Sequence, residues 1–172
     1  SINADIEEDN AKDLINDFSK NTSIAIVIPP ILSNGNTVDT AIFNSEVVKK
    51  LVDNGFQVID ILQEKNINAD VNNAIKNNNY DKLKSLTSKY MVNTFLIGNI
   101  NVVSKGKNVG YANIDFSIVT GDLTWKLLYK KDNSMVVIDS GSSSARGQGA
   151  TEIDAINNLL RNMSKNNAVK LS

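Results

Sequence analysis

Apolar positions along the chain repeat with two different periods. Residues 4–19 carry Ala11, Leu14, Ile15 and Phe18 at helix spacing with acidic residues in the early turns, predicting an N-terminal helix within residues 1–20. Ile24–Ile28 is a short continuous apolar run suited to a buried strand. Pro29 and Pro30 end it, because their nitrogens cannot donate to a ladder. Thr37 is placed to cap a helix that turns Ala41, Val48, Leu51 and Val52 inward, and Asn54-Gly55 stops it. Phe56–Leu62 predicts a second strand, which makes a βαβ unit with the first.

Residues 68–90 predict helix broken at Asn77-Asn78-Asn79, with Leu83, Leu86 and Tyr90 on one face of the second half. Val92–Val103 follows as a strand, then a turn at Lys105-Gly106-Lys107-Asn108. Ile114, Phe116 and Ile118 alternate with polar residues at even positions, whereas Leu123, Trp125, Leu127 and Tyr129 are odd. A strand changes face only by gaining a residue, so this shift predicts a bulge or break near Gly121. A hairpin turn at Lys131–Ser134, a strand over Met135–Ser144 and a helix from Glu152 to about Ala168 complete the pattern. That last helix turns Ile153, Ile156, Leu160 and Met163 inward. No repeat is present. The fold class is α/β: residues 21–172 form a single domain whose mixed sheet has a βαβ start and an antiparallel meander, flanked by helices.

Composition narrows the chemistry. The 172 residues are 41% hydrophobic and 22% charged, ordinary for a globular chain, and the net charge of -1 with scattered lysines gives nucleic acid no basic face. Cysteine and histidine are both absent, which removes disulfides, thiol nucleophiles, the commonest metal ligands and the usual general base. The 26 asparagines read as compositional bias. No segment approaches the ~18 apolar residues of a spanning helix. The opening "SINA" resembles what tag removal leaves at residues 1–4, so the missing signal peptide does not argue for the cytoplasm.

The strand, turn and helix at Ile24–Val52 invite comparison with a nucleotide-binding opening. After Ile28, however, Gly35 stands alone with neither a lysine behind it nor the Gly-x-Gly-x-x-Gly spacing. "ARGQGATE" at 145–152 is a better anion candidate through Gly147, Gly149 and Arg146, but Glu152 would repel phosphate. Its plainer reading is a flexible joint, with Thr151 capping the last helix. Asp13 with Asp17, or Asp115 with Asp139, could pair for acid–base work, although the plainer reading of each is surface charge. The serines of "GSSSARG" lack a histidine base, and Ser85–Lys89 lies in an ordinary amphipathic helix. Trp125 alternates with Leu123 and Leu127 and so reads as core.

Four stretches together resemble the curli-secretion CsgG family and its relatives. They are "SIAIVIPP", "LVDNGFQVIDILQ", "LTSKYMVNTFLIGNI" and "WKLLYKKDNSMVVIDSGSSSARGQGATEIDAINNLL", spanning roughly residues 20–170. The relatives include the amino-terminal domain of TolB, the middle domain of the flagellar protein FlgT, and lipoprotein activators of penicillin-binding proteins. The resemblance implies a TolB amino-terminal-domain-like fold in an exported, periplasm-facing bacterial protein, anchored to the outer membrane through a lipid upstream of Ser1. Such domains mediate protein–protein contacts and are not known as enzymes. Only short turns are expected at Ser104–Gly110 and Lys131–Ser134, unlike the long hairpins of the pore-forming member, and the second turn lacks the family's glycine. An autonomous pore is not expected.

Three functions follow as expectations. The first is a non-enzymatic envelope domain without cofactor or metal, binding envelope proteins or a second copy of itself through a sheet edge or the strand "DSGSSSARGQG". Asp115, Trp125, Arg146 and Gln148 are its candidate surface residues. The second is a periplasmic small-ligand or glycan-binding module with a cleft at Asp115, Trp125 and Arg146. The third is a hydrolase using paired carboxylates.

Overall fold

The computed structural model describes residues 22–109, 115–166 and 169, so the N-terminal helix expected before residue 21 lies outside the described residues. The central sheet has five strands in the order β4-β1-β5-β6-β7. β1 (Ser23–Val27) runs parallel to both β4 (Gln57–Ile59) and β5 (Thr94–Val109). β5, β6 (Asp115–Lys131) and β7 (Ser134–Gly149) form the antiparallel meander. A small hairpin, β2 (Ile31–Ser33) and β3 (Asn36–Val38), follows Pro29-Pro30. The helices are α1 (Ala41–Asp53), α2 (Ile67–Asn77), α3 (Asp81–Tyr90) and α4 (Glu152–Lys165). This is the mixed α/β domain that the residue pattern predicts.

The parallel half is covered on both faces, and its sequence shows why. In β1, Ile24 and Ile26 join the core shared with α1 and α4, while Ala25 and Val27 join the core shared with α2 and α3. Leu96 and Phe95 divide in the same way on β5. Each large side chain buried this way contributes about 1.5–3 kcal/mol, and a continuous apolar run is the signature of such a strand.

Several local expectations shift. Thr37 lies in β3, and the residue before α1 is Thr40, whose hydroxyl donates to Ile28 O at 2.7 Å. That bond satisfies the carbonyl just past the end of β1, while Asp39 Oδ1 accepts the Ala41 N–H at 2.8 Å. The inward face of α1 is Phe43, Val47 and Leu51, with Val48 half-buried; Ala41 and Val52 are exposed. Strand pairing of β4 stops at Ile59, where Asp60 Oδ1 accepts the Leu62 N–H and turns the chain. The turn expected at Lys105–Asn108 is a register shift between Ser104 and Lys107 within a longer β5. On α4, Ile153 is exposed and the buried stripe is Ala155, Ile156, Leu159, Leu160 and Met163.

The largest correction concerns Gly121. β6 passes through it unbroken, with Gly121 opposite Val102 on one side and Ala145 on the other. Odd positions of β6 face α1 and α4 along most of the strand, and Val119, Leu123, Trp125 and Leu127 belong to that core. The apparent phase change arises because Ser117 and Gly121 occupy odd positions. A Cβ on Gly121 would lie 2.7 Å from Leu159 Cδ2, so the small residue makes room for α4. The register shift of β6 against β7 falls instead at Leu127/Leu128, where Asp139 and Val137 are the partners and Ile138 has none.

β7 shows the same constraint more strongly. It extends through "ARGQG", so this segment is strand and not a flexible joint. A Cβ on Gly147 would sit 2.1 Å from Ala155 O and 2.5 Å from Leu159 N, and one on Gly149 would sit 2.8 Å from Ala155 N. The two glycines let the backbone of α4 lie directly on the strand. Thr151 caps that helix by accepting the Asp154 N–H at 3.1 Å.

We expect Gly147→Ala to lower unfolding stability by about 2–3 kcal/mol, since helix backbone cannot yield as a side-chain tip would. The exposed Ser142→Ala on the same strand should change it by less than about 0.5 kcal/mol. Urea unfolding of both variants checks the pair.

Candidate interaction surface

Among the described residues β7 is one edge of the sheet, since there it pairs only with β6. In an antiparallel pair, alternate residues direct their backbone N–H and C=O away from the partner strand. On β7 the even residues from Ser140 to Gln148 have this outward parity. Two side chains of α4 show it: Asn162 Nδ2 donates to Arg146 O at 2.6 Å, and Asn158 Nδ2 donates to Gln148 O at 2.7 Å. Ser140 N–H is taken by Asp139 Oδ1 at 2.9 Å. Ser142 and Ser144 lie between these protected ends and direct their backbone groups outward, where no other described strand lies. Exposed edges normally carry charge, proline or bulges to prevent pairing. Here the unpartnered bulge residue Ile138 marks one end, the two asparagines mark the other, and the serines between are small and uncharged.

The sheet face above this edge is polar. Cross-strand rows run Val103–Thr120–Arg146, Asn101–Asp122–Ser144 and Asn99–Thr124–Ser142. Asn101, Asp122, Thr124, Ser142, Ser144 and Arg146 are exposed. Ser144 donates to Asp122, and Asn99 Nδ2 donates to Asn72 Oδ1 of α2 at 2.7 Å, which marks where helix cover stops.

Arg146 and Gln148 stand two residues apart with both side chains exposed, opposite Thr120 and Ile118. Trp125 is 3% exposed and belongs to the core, its indole lying across Gly141 on the α4 side of the sheet. Asp115 begins β6, pairs with Val109, and has odd parity, opposite to that of the Thr120–Arg146 row. Asp115, Trp125 and Arg146 therefore do not line a common cleft. Asp139 pairs with Leu127, twelve residues along β6 from Asp115; at strand rise that is roughly 40 Å, far beyond a glycosidase pair. Asp13 and Asp17 lie outside the described residues. Asn158 and Asn162, which sequence reasoning missed, sit one helical turn apart beside the apolar stripe of α4. That spacing was the available signal.

Away from this surface, Glu64 binds α3. Its Oε2 accepts from Lys89 Nζ at 2.8 Å and from the Tyr90 hydroxyl at 2.5 Å. Lys89, at the end of the Ser85–Lys89 stretch, is thereby held in an ion pair. The bond from Lys89, then that from Tyr90, lowers the Glu64 pKa, while the bond to Glu64 raises those of Lys89 and Tyr90. The lowered carboxylate stabilises the fold above its unfolded pKa, and this support is lost as pH falls through the folded value. Lys89 and Tyr90 contribute below their unfolded values and lose that contribution as pH rises through the folded ones.

No protein-family model matches the chain, and no curated protein matches it. Among solved structures it is similar to lipoprotein GNA1162 from Neisseria meningitidis, at 18% identity and TM-score 0.42, over 84% of this chain and 96% of that one. It is similar to the hypothetical protein CT253 from Chlamydia trachomatis, at 9% identity and TM-score 0.47, over 84% and 94%. A minor lipoprotein from Acinetobacter baumannii matches at 9% identity and TM-score 0.30, over 88% and 96%. Two of these three neighbours are bacterial lipoproteins. No residue role is carried over from them.

Glu64→Gln should move the Tyr90 phenol titration down toward the ordinary tyrosine range. Ultraviolet difference titration, with Tyr90→Phe identifying the signal, reads the shift. An unmoved titration would mean the bond to Glu64 is not made in solution.

Proposed function

We propose that this chain is a non-enzymatic bacterial cell-envelope domain that joins an envelope assembly, of the secretion, flagellar or wall-synthesis kind, through protein–protein contact. In this reading it faces the periplasm and is held to the membrane only through a lipid upstream of Ser1. The observation that carries the contact is the edge of β7, where Ser142 and Ser144 direct backbone groups outward between protected ends. A strand laid along such an edge gains main-chain hydrogen bonds, each worth about 0.5–1.5 kcal/mol net. Small serine side chains let it approach, and Arg146 and Gln148 supply side-chain contacts beside it. The absence of histidine and cysteine from the sequence supports a role in binding. The envelope setting is supported by the resemblance of the four sequence stretches to the CsgG group.

Proline at Ser142 or Ser144 tests the edge directly. It removes an outward N–H that the β6–β7 ladder does not use, a substitution edge strands tolerate. Immobilised domain should retain a defined envelope component from bacterial envelope extract. Ser142→Pro and Ser144→Pro, with unchanged circular dichroism, should lose it. Equal retention by the proline variants would remove the edge from the reading, and repeated failure to retain any component would remove the reading itself.

A further inference from the structure

A second surface feature lies apart from that edge, about 25 Å along β7 from Ser142. It is an open cleft of about 430 Å³ between the α2–α3 linker and the β6–β7 turn. One wall is Asn78, Asn79, Tyr80, Asp81 and Lys84; the other is Asn133, Ser134 and Met135. We propose that this cleft binds a neutral saccharide.

The linker wall is held in place before any ligand arrives. Asn78 takes a left-handed conformation, φ +55°, and its N–H closes α2 on Ala74 O at 2.9 Å. From the middle of β6, Lys126 Nζ donates to Asn78 Oδ1 and to the Tyr80 hydroxyl at 2.9 Å, and lies 5.4 Å from the Tyr80 ring centroid. A charged donor holding two groups of one short linker fixes it to the sheet. Asn79 Oδ1 accepts the Asp81 N–H at 3.1 Å and sets the start of α3. The facing wall is set by Asp132, φ +56°, in the two-residue turn, and by Met135, which packs against the α2–α3 core.

The lining chemistry selects the ligand class. With the Asn78 and Asn79 side-chain oxygens already accepting from Lys126 and the Asp81 N–H, their amide N–H groups, the Asn133 amide, the Ser134 hydroxyl and the Asp81 carboxylate supply the donors and acceptors. Tyr80 and Met135 add apolar surface. The lining charges are one carboxylate, Asp81, and one ammonium, Lys84. An anionic ligand would meet Asp81, and a cationic one would meet Lys84, with Lys126 behind the wall. A neutral molecule with several hydroxyls and an apolar ring face fits both the polarity and the balance. The volume lies within the range of small-molecule sites.

The test is a titration of the isotope-labelled protein with glucose, with N-acetylglucosamine and with inorganic phosphate, followed by backbone amide resonances. Either sugar should move resonances of residues 78–84 and 133–135, and phosphate should not. Asp81→Ala and Asn133→Ala, both exposed positions, should each weaken the sugar at least tenfold while Trp125 fluorescence stays native. The proposal is overturned by an absence of shifts with both sugars up to about 10 mM, near the weak limit of specific binding. It is equally overturned by the same shifts with phosphate, or by undiminished binding in both variants. None of these results bears on the β7 edge.

Discussion

The backbone of α4 lies on the backbone of β7, and the rest of the antiparallel half is arranged around that contact. Helix and sheet usually meet through side chains. Here the Ala155 carbonyl occupies the place a side chain at position 147 would take, so the inward positions of β7 must be nearly empty. Gly147 and Gly149 supply this on the strand, and Gly121 supplies it on its neighbour for Leu159. Such proximity brings Asn158 and Asn162 within reach of the β7 carbonyls. One close approach therefore seats the helix, completes the core and decides how much of the edge is covered.

The same contact explains what could be read from sequence. β1 was legible because burial on both faces demands a continuous apolar run. The end of α1 at Asn54-Gly55, the break around Asn78 and the cap at Thr151 were legible because each depends on local backbone chemistry. Of β7, Met135–Ser144 was legible as strand, but its extension through Gly149 was not. Its inward positions are Gly141, Ser143, Ala145, Gly147 and Gly149, and its outward ones are polar, so neither face carries an apolar period. A hydrophobic-pattern reading finds a joint where helix contact has suppressed the pattern. The phase change in β6 misled for the same reason, with Ser117 and Gly121 standing where apolar residues would have declared the inner face.

Site residues divide similarly. Arg146 and Gln148 could be paired from their spacing alone, because a strand returns to one face every second residue. Trp125 read as core from its strand pattern and was also offered as a surface residue; its burial over Gly141 agrees with the first and overturns the second. The saccharide cleft could not be read at all, since its walls come from the α2–α3 linker and a distant hairpin turn that only strand register brings together.

The core between the sheet and α1 joins Ile24 and Ile26, near one end of the chain, with Leu160 and Met163, near the other. That layer cannot close until α4 has been made. Contacts of such sequence separation form slowly. As the chain emerges from a ribosome, β1 and β5 can pair early, but the layer beneath α4 stays open until that helix arrives. The domain is thereby kept unfinished, and still able to be threaded, for most of its synthesis.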